Sequence, residues 1–288
     1  MFSGSIVALI TPFRNGQIDE NALAGLVEFH IDNGTSALLP CGTTGESATM
    51  SHEEHLQVIR IVVEAAAGRV PVIAGTGSNS TAEAVHLTAE AARLGADGAL
   101  LVCPYYNKPP QQGLYLHYRK IAEAVDIPQI LYNVPGRTAL NIEPETIARL
   151  AELENVVAVK EASGSLDQAS QIANLCDLTI LSGDDSLTLP LMSVGAKGVI
   201  SVAANVVPDR TAALCSAGLS GDNVEALKIH LELLPLFKAM FVETNPIPVK
   251  AAVAAMGKVA EEYRLPLCSM DDSSRARLMA VLNEMNLV

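Results

Sequence analysis

Eight short apolar runs, each about the length of a β-strand, recur along the chain: Ile6 to Ile10, Ala37 to Pro40, Val70 to Ala74, Ala99 to Val102, Ile130 to Tyr132, Val156 to Val159, Leu178 to Leu181 and Val199 to Val202. Between them lie segments with apolar residues at helical spacing, such as Leu56, Ile59, Val62 and Val63, or Ala84, Leu87, Ala91 and Leu94. The runs are nearly continuous rather than alternating in apolar character. That is expected of parallel strands with helices on one face and a packed interior on the other. Glycines mark the returns from helix to strand in Asn33-Gly34, Leu94-Gly95-Ala96-Asp97-Gly98 and Val194-Gly195-Ala196-Lys197-Gly198, where a helix can end in the left-handed conformation.

Eight strand-helix units in 288 residues, with no linker rich in Pro, Gly or Ser, match a (β/α)8 or TIM barrel of the α/β class. A doubly wound sheet is the alternative, but no GxGxxG follows the first run. After Val206 the pattern turns to helices only, over Val224 to Val242 and again over Ser273 to Asn286, with a break at Asn245-Pro246-Ile247-Pro248. The expected division is a catalytic barrel over 1–221 and a C-terminal helical extension over 222–288. The extension would cover one barrel end or make contacts between subunits; the sequence leaves both open.

A net charge of −13 argues against nucleic acid or an anionic membrane as partner, since either would be repelled at long range. A small anion received by a local Arg or Lys is compatible with it. No stretch approaches the roughly 18 apolar residues of a membrane span, and Met1 to Phe13 lacks the basic region and cleavage pattern of an export signal. Five cysteines without a CxxC pair fit reduced thiols in a cytoplasmic protein. Cys41 and Cys103 end apolar runs, yet neither has a basic neighbour in sequence to activate it.

Active sites of such barrels lie at the C-terminal ends of the strands, so the polar residues closing each run are the candidates. The sixth run closes on Lys160-Glu161. A lysine there sits in low-dielectric surroundings that disfavour an ammonium, and a neutral amine attacks ketones. An ion pair with Glu161 or a side chain snorkelling at the rim is the competing reading, and position alone weighs them equally. The fifth run leads from Tyr132 to Arg137, a phenol able to relay protons and a guanidinium able to receive a carboxylate, although each taken alone is better explained as a tyrosine capping the core and a solvated arginine. The second run ends in Gly42-Thr43-Thr44-Gly45-Glu46, where the glycines let the backbone approach a ligand. The fourth ends in a loop containing Tyr105 and Tyr106.

His52-Glu53-Glu54-His55 is not the zinc motif HExxH, because its histidines are three apart; a solvated helix start capped by Ser51 explains it better. Asp184 and Asp185 after the seventh run argue against a phosphate site and suit the capping of the short helix that follows.

Taken together, Gly42-Thr43-Thr44-Gly45-Glu46, Tyr105-Tyr106, Tyr132-Asn133-Val134-Pro135-Gly136-Arg137-Thr138 and Lys160-Glu161-Ala162 resemble the dihydrodipicolinate synthase family, also called the 4-hydroxy-tetrahydrodipicolinate synthases, over nearly the whole chain. The related N-acetylneuraminate lyases and sugar-acid aldolases share the Lys and Tyr; the Thr43-Thr44 pair and Arg137 point to the synthases. The resemblance implies a lyase of lysine and diaminopimelate biosynthesis that condenses pyruvate with L-aspartate 4-semialdehyde. Lys160 would form the Schiff base, and Tyr132 would donate and accept the proton. Thr43 and Tyr106 would complete a relay, Tyr106 reaching across a subunit interface. Thr44 and the backbone around Ile200 would hold the pyruvate carboxylate, Arg137 the carboxylate of the aldehyde, and Gly183 would line the pocket. No metal or organic cofactor is implied. Ser47, Ala48, His52, His55, Asn79, Glu83 and Tyr105 match the family's inhibitory L-lysine site, and the family is usually a homotetramer.

Overall fold

The computed structural model describes residues 2–288. All eight runs are strands, at Gly4–Ala8, Ala37–Leu39, Ile73–Gly75, Gly98–Val102, Gln129–Asn133, Val156–Glu161, Thr179–Ser182 and Gly198–Ser201. They pair in parallel in the order second, first, eighth, seventh, sixth, fifth, fourth, third. A parallel bridge between Leu38 and Val72 joins the two ends of that order, so the sheet closes into the expected barrel.

Side chains alternate across a strand, and this decides what lies inside. Ile6, Leu39, Ile73, Leu100, Ile130, Ala158, Leu181 and Ile200, one from each strand, belong to a single buried interior cluster. Their strand neighbours Val7, Leu38, Leu101, Leu131, Val159 and Ile180 pack instead with the surrounding helices. Phe2 joins the interior cluster at the N-terminal mouth, its Cζ 2.8 Å from where a Cβ on Gly98 would stand. Among the described residues the interior is therefore a filled core at that mouth, and it opens toward the other end.

Local signals explain the element ends. Ser51 forms a capping box with Glu54 at the start of the helix His52–Ala66. The helix-to-strand returns turn at Gly34, Gly95 and Gly195 with φ of 77, 92 and 111°, as the sequence predicts. A two-stranded ribbon, Phe13–Arg14 and Gln17–Ile18, was not foreseen; Asn15-Gly16 turns it at φ 55 and 79°, the dipeptide that such hairpins favour.

The C-terminal region holds the helices Asn223–Ala239, Ile247–Ala255 and Asp272–Glu284. The predicted break at Asn245-Pro246-Ile247-Pro248 falls where the first of these gives way to the second: Asn245 and Pro246 stand outside a helix, and the second helix begins inside the tetrapeptide, at Ile247. Pro248 lies in its first turn, where an absent N–H removes no intrahelical bond. Ile229, Leu236, Val249 and Leu282 from this region share one core cluster with Leu23 and Val58 of the first two barrel helices. Among the described residues no helix is long and apolar enough to cross a membrane.

Candidate active site

Lys160 is in register with Tyr132 on the neighbouring strand. Each lies two residues beyond a member of the interior cluster, Ala158 and Ile130, so both side chains turn inward at the open end. Lys160 is 6% exposed and its Nζ stands 4.2 Å from the centroid of the Tyr132 ring. Glu161 faces the other way. Its carboxylate accepts from Asn133 Nδ2 at 3.1 Å, Gln168 Nε2 at 3.0 Å and the Ser163 amide at 2.7 Å. The ion pair that competed with the nucleophile reading is thus not formed, and among the described residues no carboxylate pairs with Lys160.

A cavity of about 150 Å³ opens around this amine, and Thr43, Thr44, Tyr132, Arg137, Lys160 and Gly183 all line it. Its apolar wall includes Ala8, Leu39, Leu100, Val134, Ala162 and Val202. Gly183 is needed for close approach. A Cβ there would lie 2.6 Å from Ala162 Cβ and 3.1 Å from Lys160 Cε. Arg137 sits in a one-turn helix, Pro135–Thr138, directly after the fifth strand, and its Nη2 donates to the main-chain oxygen of Asn245 at 3.1 Å.

The Thr43–Thr44 loop is fixed from several sides. Cys41 and Glu46 bracket it at positive φ, and Thr11 Oγ1 donates to Gly45 O at 2.7 Å. The Glu46 side chain is fully buried in an ion pair with Lys250 of the helix Ile247–Ala255, and Lys250 also donates to Glu262 O at 3.0 Å. Asn245 Nδ2 donates to Thr44 Oγ1 at 3.0 Å. Sequence reasoning missed Asn245 and the Glu46–Lys250 pair. A lone Lys within Ile247-Pro248-Val249-Lys250-Ala251-Ala252-Val253, an otherwise apolar helix, was the available signal.

Two expected site residues are not brought to this cavity within the chain. Ile200 belongs to the interior cluster, and Val202, two residues on, lines the cavity in its place. Tyr106 is 90% exposed on its loop. The thiols of Cys41 and Cys103 are pushed up by burial, that of Cys103 to about 12, so neither supplies a thiolate at neutral pH. Asp184 caps the turn Asp185–Leu187 as expected. Asp185 is buried and caps a different turn, accepting from the Val202 and Ala203 amides, each at 3.0 Å.

A second cavity of about 470 Å³ adjoins the first, since Thr43, Val134, Arg137 and Asn245 line both. Ser47, Ala48, His52, His55, Glu83 and Tyr105 line it; Asn79 is held beside it, its Nδ2 donating to Tyr105 O at 3.1 Å. His55 is not the solvated residue the sequence suggested. Burial lowers its pKa, and its neutral ring donates Nε2–H to Gly75 O at 2.7 Å. His52 is exposed, with Nε2 2.7 Å from Glu83 Oε1. The Ser78 hydroxyl, and after it His52, hold the Glu83 carboxyl below the usual range, so the second cavity carries a carboxylate at neutral pH.

A filled parallel barrel with an inward, unpaired lysine against a tyrosine at the strand ends defines a Schiff-base lyase of the class I aldolase type. The Dihydrodipicolinate synthetase family profile matches residues 1–285, and the chain belongs to that family. It is 59% identical over 290 residues to a 4-hydroxy-tetrahydrodipicolinate synthase of Geotalea uraniireducens, covering 100% of both. The dihydrodipicolinate synthase of Aquifex aeolicus superposes with a TM-score of 0.98 at 55% identity over 99% of each chain. Two further synthases carry small molecules. That of Acinetobacter baumannii is complexed with pyruvate (TM-score 0.98, 45% identity, 100% of each chain), and that of Cyanidioschyzon merolae has lysine bound (TM-score 0.97, 43% identity, 100% of this chain and 99% of that one).

Proposed function

We propose that the protein condenses pyruvate with L-aspartate 4-semialdehyde to give 4-hydroxy-tetrahydrodipicolinate, acting as a cytoplasmic enzyme of lysine and diaminopimelate biosynthesis. The observation that carries this reading is the Lys160 amine, buried among the described residues without an ion-pair partner, at 4.2 Å from the centroid of the Tyr132 ring in the cavity at the strand ends. Lys160 Nζ adds to the ketone carbon of pyruvate, and the carbinolamine loses its oxygen as water with a proton delivered by Tyr132. The iminium then draws electrons from the methyl group, which gives up a proton to become an enamine. Its carbon attacks the aldehyde carbon, and the amino group of the second substrate closes the ring by displacing the lysine nitrogen. Thr44 receives the pyruvate carboxylate with help from backbone near Ile200, Arg137 receives the carboxylate of the aldehyde substrate, and Thr43 lies on the proton path. The lysine nitrogen is itself the electron sink, so the reaction as written uses no cofactor.

Tyr106 completes this relay only if a second copy of the chain supplies it. Its 90% exposure on a strand-end loop supports that arrangement, and with it a homo-oligomer, read as a tetramer. Borohydride reduction in the presence of pyruvate, followed by intact mass, tests the core of the proposal. One adduct per chain is expected, absent from Lys160→Ala; an adduct that persists in that variant would remove the assignment. Turnover of sugar-acid substrates with none of aspartate semialdehyde would move the enzyme to the aldolase relatives.

L-Lysine is the proposed inhibitor at the second cavity, with the Glu83 carboxylate receiving its ammonium. Loss of a hydrogen bond to a charged group corresponds to roughly 10- to 100-fold, so Glu83→Ala should raise the half-inhibitory lysine concentration by that factor. Synthase activity of the parent protein that is indifferent to millimolar lysine would end this reading.

A further inference from the structure

Asn245 comes from the C-terminal region, yet it touches both groups assigned to substrate carboxylates. It is 6% exposed and lines the cavity. Its Nδ2 donates to Thr44 Oγ1 at 3.0 Å and its main-chain oxygen accepts from Arg137 Nη2 at 3.1 Å. A hydroxyl has one proton and two lone pairs. When an amide N–H occupies a lone pair, the hydroxyl proton is left for another acceptor, and a carboxylate is acceptor-only.

We propose that Asn245 is a positioning residue: by donating to Thr44 it commits the Thr44 proton to the pyruvate carboxylate, and through its main-chain oxygen it holds Arg137 at a fixed separation from that site. This rests on Thr44 receiving the pyruvate carboxylate. Two further observations support it. Lys250, five residues on, pairs with Glu46, two residues beyond Thr44, so the segment and the loop are tied at two points and Asn245 is not free to drift. Asn245 Oδ1 is buried and meets no donor on the protein. The oxygen is thus not held by the protein, and the donor side of the amide is the one committed to Thr44.

The test uses steady-state kinetics and thermal melting of the full chain with Asn245→Asp, Asn245→Leu, Thr44→Val and Thr44→Val/Asn245→Leu. Asn245→Asp keeps the shape but replaces the donor with an acceptor, so Thr44 must turn its proton away from the cavity. The pyruvate KM should rise roughly 10- to 100-fold, the range for a lost hydrogen bond to a charged group, with a much smaller fall in kcat at saturating pyruvate. Asn245→Leu should raise the same KM, and should add little once Thr44 is Val. A pyruvate KM unchanged in Asn245→Asp would overturn the proposal, because Thr44 would then be donating to the amide. Multiplying effects in the double variant would also overturn it. An unchanged pyruvate KM in Thr44→Val alone would instead overturn the carboxylate assignment on which it rests. Should Asn245→Leu fail to fold, Asn245→Asp decides the matter.

Discussion

Exchanging Lys250 for Met should destabilise the protein by about 3–5 kcal/mol, the usual cost of removing one partner from a buried ion pair. Both side chains are fully buried, and Lys250 Nζ stands 4.3 Å from the centroid of the Phe13 ring. Burial pulls the Lys250 amine below its ordinary pKa and Glu46 pulls it back up, so the pair persists through mutual support rather than through solvent. With Met in place, the Glu46 carboxylate keeps only the Arg264 amide at 3.3 Å. Equilibrium unfolding in denaturant measures the loss. Replacing both charges, in Glu46→Gln/Lys250→Met, should recover a large part of it, since the orphan charge and not the absent attraction is the main penalty. A single variant within about 1 kcal/mol of the parent would show that the pair carries no such load.

Gly183→Ala should lower kcat/KM about 100-fold, as a displacement of roughly 1 Å in a catalytic group can. The added methyl would meet Ala162 Cβ at 2.6 Å and Lys160 Cε at 3.1 Å, both side-chain atoms, and the Lys160 chain is the one with freedom to yield. Gly183 does not lie at positive φ, so the backbone tolerates alanine and the defect should fall on imine formation rather than folding. Borohydride trapping at fixed pyruvate follows that step directly. Gly183→Ala/Ala162→Gly moves the methyl across the gap and should restore part of the rate. Normal trapping in the single variant would exclude this account of the glycine.

The strands were legible because each is a nearly continuous apolar run preceded by Gly or by a polar or charged residue, and a closed barrel buries both of its faces. Lys160 and Tyr132 were legible for the same reason: a polar residue ending such a run has one place to be. Their adjacency was not, since it depends on the register of the fifth and sixth strands. Asn245 and Lys250 escaped because their partners, Thr44 and Glu46, lie 201 and 204 residues away, and no local pattern reports a pairing at that distance. Asn245-Pro246-Ile247-Pro248 marked the gap between two helices, but not that the second helix begins inside it, and the reason is local. Proline both ends helices and begins them, and which it does depends on the residues that the following turn packs against.

Contacts spanning two hundred residues place the site late in the order of chain synthesis. A nascent chain extended only to residue 221 already contains all eight strand sequences, yet it lacks the amide that orients Thr44 and the ammonium that neutralises Glu46. The barrel sequence and a competent catalytic loop are thus separate milestones of biosynthesis, and the second waits on the last quarter of the polypeptide.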